Sequence, residues 1–241
     1  MEYIENKKFE IRYFDENEII ENKTFVKCEF DNCVLSVPFT AIPQNRTIIR
    51  NCIFRDSIIY NTCSQQKGAL ENVLFENIKT TELRIVGVTF NQVILKGNFN
   101  KIMLGSFVTN GLPIYIDENN FRYPAENEMV QLEDYRRSYY ENVPWAIDIS
   151  KAEFSTCDLK NSIPGKLVIR NPETQALVLK EKMKEAKWKG IKHIDMILAE
   201  SYLSNYHDDS IIVAPTRHKK NFPKYMEFIK ILREEGIAEL K

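Results

Sequence analysis

The chain has 241 residues and a mass of 28.3 kDa, is 44% apolar and 28% charged, and sets 33 Lys and Arg against 34 Asp and Glu for a formal charge of −1. This is the make-up of an ordinary globular protein of one large or two small domains, and with the charge balanced neither a strongly basic nucleic-acid binder nor a globally acidic duplex mimic follows from charge alone. The opening Met1-Glu2-Tyr3-Ile4-Glu5-Asn6 lacks the regions of a secretory signal, no apolar run is long enough for a bilayer, and five cysteines form no C-x-x-C pair, so a cytoplasmic protein without disulfide framework or zinc knuckle is expected.

The first predicted element is a repeat. Large apolar residues fall at Phe25, Phe30 and Leu35, then at Ile49, Phe54 and Ile59, then at Leu70, Phe75, Ile85, Phe90 and Leu95, with Thr80 in phase as the one exception. After a four-residue slip the phase resumes at Phe99 and Leu104, and it closes at Phe154 and Leu159. Two places before most centres stands a smaller companion, such as Cys28, Cys33, Cys52, Ser57, Gly68 or Ala152. A step of five turns a helix by about 140° and reverses the face of a strand, so neither regular element could bury these residues together. They share one interior if the backbone turns a corner about every five residues, so that four short edges form a square coil and coils stack about 4.8 Å apart. The loops expected from this phase lie at 36–46 and 60–67, and the competing architecture is a plain β-sandwich.

Cys28-Glu29-Phe30-Asp31-Asn32, Ala152-Glu153-Phe154-Ser155-Thr156 and Cys157-Asp158-Leu159-Lys160-Asn161 resemble the loose motif of the pentapeptide-repeat family: a small residue, a polar one, Leu or Phe, then two variable positions. The resemblance covers roughly residues 20–104 and 150–162 and implies a mainly β fold, a right-handed quadrilateral β-helix. Between 73 and 102 the sequence departs from the motif by placing Val, Ile or Leu at the small position. Cys28, Cys33, Cys52 and Cys157 occupy the small inward position, where a thiol packs as a small hydrophobe. Asn32, Asn51, Asn61, Asn72 and Asn77 suit outward or corner positions, since Asn tolerates left-handed backbone and bonds to neighbouring main chain.

Between 105 and 150 the period is interrupted, and 125–143 reads as a helix with Met129, Leu132, Tyr139, Tyr140 and Val143 towards one side. Domain boundaries are therefore 1–165 for the coil with its insertion and 166–241 for a small α+β cap. Within the cap, 166–170 and 175–180 flank Asn171-Pro172-Glu173-Thr174 as a hairpin, and 181–206 is helical with a break at Gly190 and Ile191, Ile194, Leu198 and Tyr202 on one face. Residues 210–214 form a strand, and Asn221 caps a last helix that carries Pro223 in its first turn and stops at Gly236.

The chemistry-bearing signals are few. No phosphate-binding glycine loop or nucleophile elbow is present, and His193, His207 and His218 all lie in the tail. His207-Asp208-Asp209 is the one cluster with general-base potential, but adjacent side chains diverge; a hydrolase built on His207 and Asp209 ranks lowest. Tyr135, Arg136, Arg137 and Tyr139 combine the residue types enriched at binding hot spots and are the candidate partner-binding set. Arg217, His218, Lys219 and Lys220 precede a helix start and are the candidate anion site. The expected function is a non-enzymatic scaffold that displays a flat face and its insertion to another protein. Some pentapeptide-repeat proteins mimic duplex DNA and protect topoisomerases, so the resemblance supplies that alternative, together with nucleic-acid or phosphate binding at the basic loop. The mixed charge disfavours mimicry; no membrane, metal or cofactor is implied, and a homodimer stays open.

Overall fold

The computed structural model describes residues 1–10, 19–31, 33–35, 47–105, 114–115, 121–122, 125–159, 163–187 and 209–240; the side chains of 34–35, 47, 61–67, 82, 86, 105, 114–115, 121–122, 129 and 132 fall outside this set. The fold is mainly β. Its main body is a 12-stranded sheet assembled from β1 (Glu2–Glu5), β2 (Lys8–Phe9), β3 (Ile19–Glu21), β4 (Lys23–Val26), β5 (Glu29–Asp31), β6 (Val34–Leu35), β7 (Thr47–Arg55), β8 (Ile58–Glu76), β9 (Lys79–Asn91), β10 (Val93–Gly105), β13 (Ile147–Asp158) and β14 (Val168–Ile169). Two small antiparallel pairs stand apart from it, β11 (Ile114–Tyr115) with β12 (Phe121–Arg122) and β15 (Gln175–Val178) with β16 (Ser210–Val213).

Every pairing in the main sheet is parallel, unlike the antiparallel sheets of a sandwich. The register carries the repeat. Ile4 lies opposite Phe25, Phe25 opposite Phe54, Phe54 opposite Phe75 and Phe75 opposite Leu95. A second row runs Phe9, Phe30, Ile59, Thr80, and a third Ile20, Ile49, Leu70, Phe90. Partners are 21 residues apart in the first turns (Glu2 with Lys23), 20 at Gly68 with Val88, and 19 at Ile102 with Leu83, the last change following the four-residue step from Leu95 to Phe99. The offset is 29 at Phe25 with Phe54, where 36–46 intervenes; that expected loop lies outside the described residues.

A strand as long as β8 would extend about 60 Å if straight, but positive φ breaks such strands into short edges. Asn6, Asn22, Lys27, Asn51, Asp56, Asn72, Asn77 and Gln92 all have φ between 48° and 57°. Of the predicted corner residues, Asn51, Asn72 and Asn77 are in this set, while Asn32 and the side chain of Asn61 lie outside the described residues. Pairing persists through the corners: the N–H groups of Asn22, Lys27, Asp56 and Asn77 donate to the carbonyls of Arg50, Arg55, Glu76 and Lys96.

The interior is apolar and aromatic. Phe25, Phe54, Phe75, Phe90, Phe154 and Leu159 are buried, Phe30 is half-buried against the same cluster, and Leu35 occupies its register position with its side chain outside the described set. Phe25, Phe54 and Phe75 stack face to face at centroid separations of 4.9 Å and 4.9 Å, close to the spacing of neighbouring strands. The small companions finish the corners. Cys28, Cys52 and Ser57 point their Sγ or Oγ at the carbonyl two residues back, at 3.4, 3.2 and 2.8 Å. Those carbonyls, of Val26, Arg50 and Arg55, also accept the N–H of Asn6, Asn22 and Lys27 from the preceding turn.

Two expectations are corrected. Residues 60–67 do not loop out: they continue β8, with Cys63 opposite Leu83 and Gln65 opposite Ile85 and Leu35. A ladder of backbone bonds needs no apolar side chain, so polar Thr62-Cys63-Ser64-Gln65-Gln66 joins the sheet once the register slips by one residue between Ile59 and Thr62. Nor do 166–170 and 175–180 form a hairpin. Val168 and Ile169 pair in parallel with Ile147 and Asp148, whereas Gln175–Val178 pairs with Ser210–Val213. The edge of β13 was available, and parallel addition extended the main sheet instead.

Three helices complete the described chain: α1 (Glu126–Tyr140), α2 (Lys180–Glu185) and α3 (Phe222–Glu234). The helix expected over 181–206 is described only as α2; Gly190, Ile191, Ile194, Leu198 and Tyr202 lie outside the described residues. Leu177, Ile211 and Val213 share the core of the stacked strands, while Met183, Phe228, Ile229 and Leu232 form a second cluster behind them. Gly236, at φ 67°, ends α3.

Candidate functional site

The insertion helix is built to be held. Acidic Glu126 and Glu128 occupy its first turn, where they favour the positive end of the helix dipole, and Glu128 accepts the N–H of Ala125 at 2.8 Å. At the other end Tyr140, buried, accepts the N–H of Phe90 at 3.2 Å. Backbone bonds to the chain that follows α1 begin at Gln92, whose N–H donates to the Trp145 carbonyl, so the phenol oxygen stands where a strand carbonyl is missing. Burial pushes the Tyr140 phenol well above its ordinary pKa, which keeps it neutral. Tyr139 rests on Tyr140 edge to face at 5.5 Å and donates to Glu71 Oε1 at 3.4 Å.

The four predicted partner-binding residues lie on this helix in unequal settings. Arg136 clasps Glu133 with two bonds, of 2.8 and 2.6 Å, and its side chain is 12% exposed. Tyr135 and Tyr139 are half-buried with ring centroids 6.3 Å apart. Arg137 is exposed and reaches Glu133 at 3.2 Å. Val130, exposed, and Asp134 precede it on the same face by seven and three residues, and no sequence signal singled Val130 out.

The basic loop is used differently from the expectation. Arg217 lies against the stacked strands: its N–H donates to the Phe154 carbonyl at 3.0 Å, and its Nη1 to the Phe99 carbonyl at 3.3 Å and Asn100 Oδ1 at 3.2 Å. The His218 carbonyl accepts the N–H groups of Asn221 and Phe222, and His218 Nδ1 lies 3.3 Å from the Asn221 nitrogen. Asn221 stands at the cap position but its side chain makes no capping bond, correcting the predicted cap. Lys219 and Lys220 are exposed. Asp209 Oδ1 accepts the N–H of Lys180 at 2.9 Å, starting α2, while His193, His207 and Asp208 lie outside the described residues.

Among the described residues no group of three His, Cys, Asp or Glu side chains converges as metal ligands would, and no helix is long and apolar enough to cross a membrane. Burial raises the thiols of Cys52 and Cys157 above their ordinary values, the reverse of an activated nucleophile.

What the stack does present is ordered charge. Lys23 pairs with Glu2 at 2.7 Å, Lys27 with Glu5 at 3.3 Å and Arg50 with Glu21 at 2.5 Å, each across one step of the register. Arg55 and Lys96 both bind Glu76 from either side at 2.6 Å. The Lys96 bond first, then that of Arg55, holds the Glu76 carboxyl below the usual 4.5. No known protein family, curated protein or solved structure matches the chain.

Proposed function

We propose that the chain is a non-enzymatic scaffold: a right-handed quadrilateral β-helix of the pentapeptide-repeat kind that presents a flat outer face and the insertion helix to a protein partner. Three things support the coil reading. Offsets of 19 to 21 are about four times five, left-handed corners recur five residues apart at Asn22 and Lys27, Asn51 and Asp56, and Asn72 and Asn77, and among the described side chains Phe25, Ile49, Phe54, Leu70, Phe75 and Phe90 share one core. The observation that carries the scaffold reading is the occupation of polar groups. Tyr140, Arg217 and Asp209 each bond backbone distant in sequence, and Arg136 binds Glu133 of its own helix, which leaves shape and exposed side chains for recognition.

The charge ladders disfavour duplex mimicry. A mimic needs uncompensated carboxylates at a density approaching one charge per about 1.7 Å, whereas Glu2, Glu5, Glu21 and Glu76 each face a Lys or Arg. In the anion-site alternative Arg217, though exposed, already gives its Nη1 to the Phe99 carbonyl and Asn100 Oδ1.

The test is capture from the host followed by reconstitution with the purified partner. Wild type should rebind at fixed stoichiometry, and Val130→Asp with Arg137→Glu should weaken binding at least about tenfold, as expected for exposed contact residues, with an unchanged circular dichroism spectrum. Full binding by the double variant removes α1 from the interface. Failure of every captured protein to rebind in purified form removes the scaffold reading.

A further inference from the structure

The stack of parallel strands has two ends, and they are treated differently. The C-terminal end is covered: Ala146 N–H donates to the Leu167 carbonyl at 2.8 Å, Phe154 N–H to Thr216 Oγ1 at 3.3 Å, and Gln175 Nε2 to the Ile149 carbonyl at 3.1 Å. At the N-terminal end, among the described residues, β1 pairs only with β4 and β2 only with β5. Among the described residues no strand pairs with their outer edges, and such an edge is a template for another strand. Ile4, Phe9 and Ile20 are only half-buried there, and Met1, Tyr3 and Ile19 are 74%, 62% and 49% exposed.

We propose that this end is a docking surface for a second copy of the chain, joined head to head about a two-fold axis through the corner at Asn6. The inference rests on the coil reading. The axis lays β1 of one copy antiparallel to β2 of the other, with Ile4 over Phe9 of the second copy, Glu5 beside Lys8 and Tyr3 beside Glu10. Inward residues meet inward ones and outward meet outward, because β1 and β2 alternate in the same phase about Ile4 and Phe9.

Self-complementarity selects a second copy over another partner. Within each chain Ile4 continues the column of Phe25, and Phe9 stacks on Phe30 at 5.1 Å. The axis joins the two columns as Phe25, Ile4, then Phe9 and Phe30 of the second copy. The charges follow suit. Lys27 pairs with Glu5, and Lys8 with Asp31 at 3.2 Å, so the contact completes an alternating ladder of Lys27, Glu5, then Lys8 and Asp31 of the second copy. β1 carries Glu2 and Glu5 and the following segment carries Lys7 and Lys8; Lys8 also binds Glu10 of its own chain at 2.8 Å, and the contact sets Glu5 of the second copy beside that pair. The covered C-terminal end blocks head-to-tail growth, and the isologous contact closes at two copies.

Sedimentation velocity over a concentration series tests this with the full chain. Wild type should move from one to two times 28.3 kDa as concentration rises. Glu5→Lys and Lys8→Glu should each weaken self-association at least about tenfold by setting like charges together. An equimolar mixture of the two variants should dimerise again, since the mixed contact pairs opposite charges at both positions. A wild type that stays monomeric, one that forms open-ended oligomers, or a mixture that stays as weak as its components overturns the proposal. Leu70→Asp separates this from the coil reading: it places a charge in the shared interior and should unfold the chain, so a monomeric wild type beside an unfolded Leu70→Asp sinks the dimer alone, and a folded Leu70→Asp sinks the coil beneath it.

Discussion

Left-handed backbone is an uncommon state for residues with a β-carbon, and here it recurs at named positions in a column. Asn22, Asn51 and Asn72 occupy equivalent corners, and their amides bond upward from Asn51 Nδ2 to Asn22 Oδ1 at 3.4 Å and from Asn72 Nδ2 to Asn51 Oδ1 at 2.9 Å. Asn suits both demands, because its short polar side chain lowers the local cost of positive φ and spans one step of the stack. Asn72→Val should therefore lower unfolding free energy by about 1–2 kcal/mol, the cost of forcing a β-branched residue into that region, while Asn72→Gly should lose far less. Urea denaturation of the two variants checks this, and equal losses would assign the cost to the amide ladder instead of the backbone. The same reading explains why Asn was informative in the sequence and Lys27 and Gln92 were not: those two take the corner through register, against their own preference, whereas Asp56 shares the tolerance of Asn.

At the scale of elements, α1 substitutes for a strand. Its Tyr140 hydroxyl accepts a backbone N–H that the parallel ladder would otherwise bond, at the place where the sheet loses its next strand to the insertion. Tyr140→Phe removes the acceptor and leaves Phe90 N–H buried and unpaired, so stability should fall by about 1–3 kcal/mol with little change in volume. Hydrogen exchange at Phe90 should accelerate in that variant; unchanged protection would mean that another group takes the bond. The helix itself was legible from periodicity over 125–143. Its docking was not, because a tyrosine hydroxyl finds a particular N–H only once residues 50 apart in sequence are folded together. The false hairpin over 166–180 has the same origin: the turn at Pro172 is real local chemistry, but two edges, β13 and β16, competed for its flanking strands and won.

For the whole molecule, acid stability reports the outer ladders. Glu76 has its folded pKa lowered by Lys96 and Arg55, so its contribution is fully present above the ordinary value of 4.5 and is lost as pH falls through the depressed folded value. The gap in urea midpoint between wild type and Glu76→Gln should be widest near neutral pH and close in strong acid, where wild-type Glu76 is protonated too. A gap that does not vary with pH would show that the ladder contributes nothing through its charge. Added salt should narrow the gap as well, because Arg55 and Lys96 are about half exposed and screened.

The sequence by itself determined the interior: a step of five and its slips are properties of the order of residues, and burial follows because a side chain that recurs at each edge has one place to go. It determined the insertion helix and the last strand and helix for the same reason, since periodicity is local, although the cap expected at Asn221 did not form. Only the tertiary structure decided which surfaces remain for recognition. Arg217, Asp209 and Tyr140 carry the chemistry of sites, yet each is spent on a backbone partner distant in sequence, while Arg136 closes on Glu133 within its own helix. Polar groups choose partners by proximity in space, which a linear text does not contain, whereas hydrophobic side chains need only an inside.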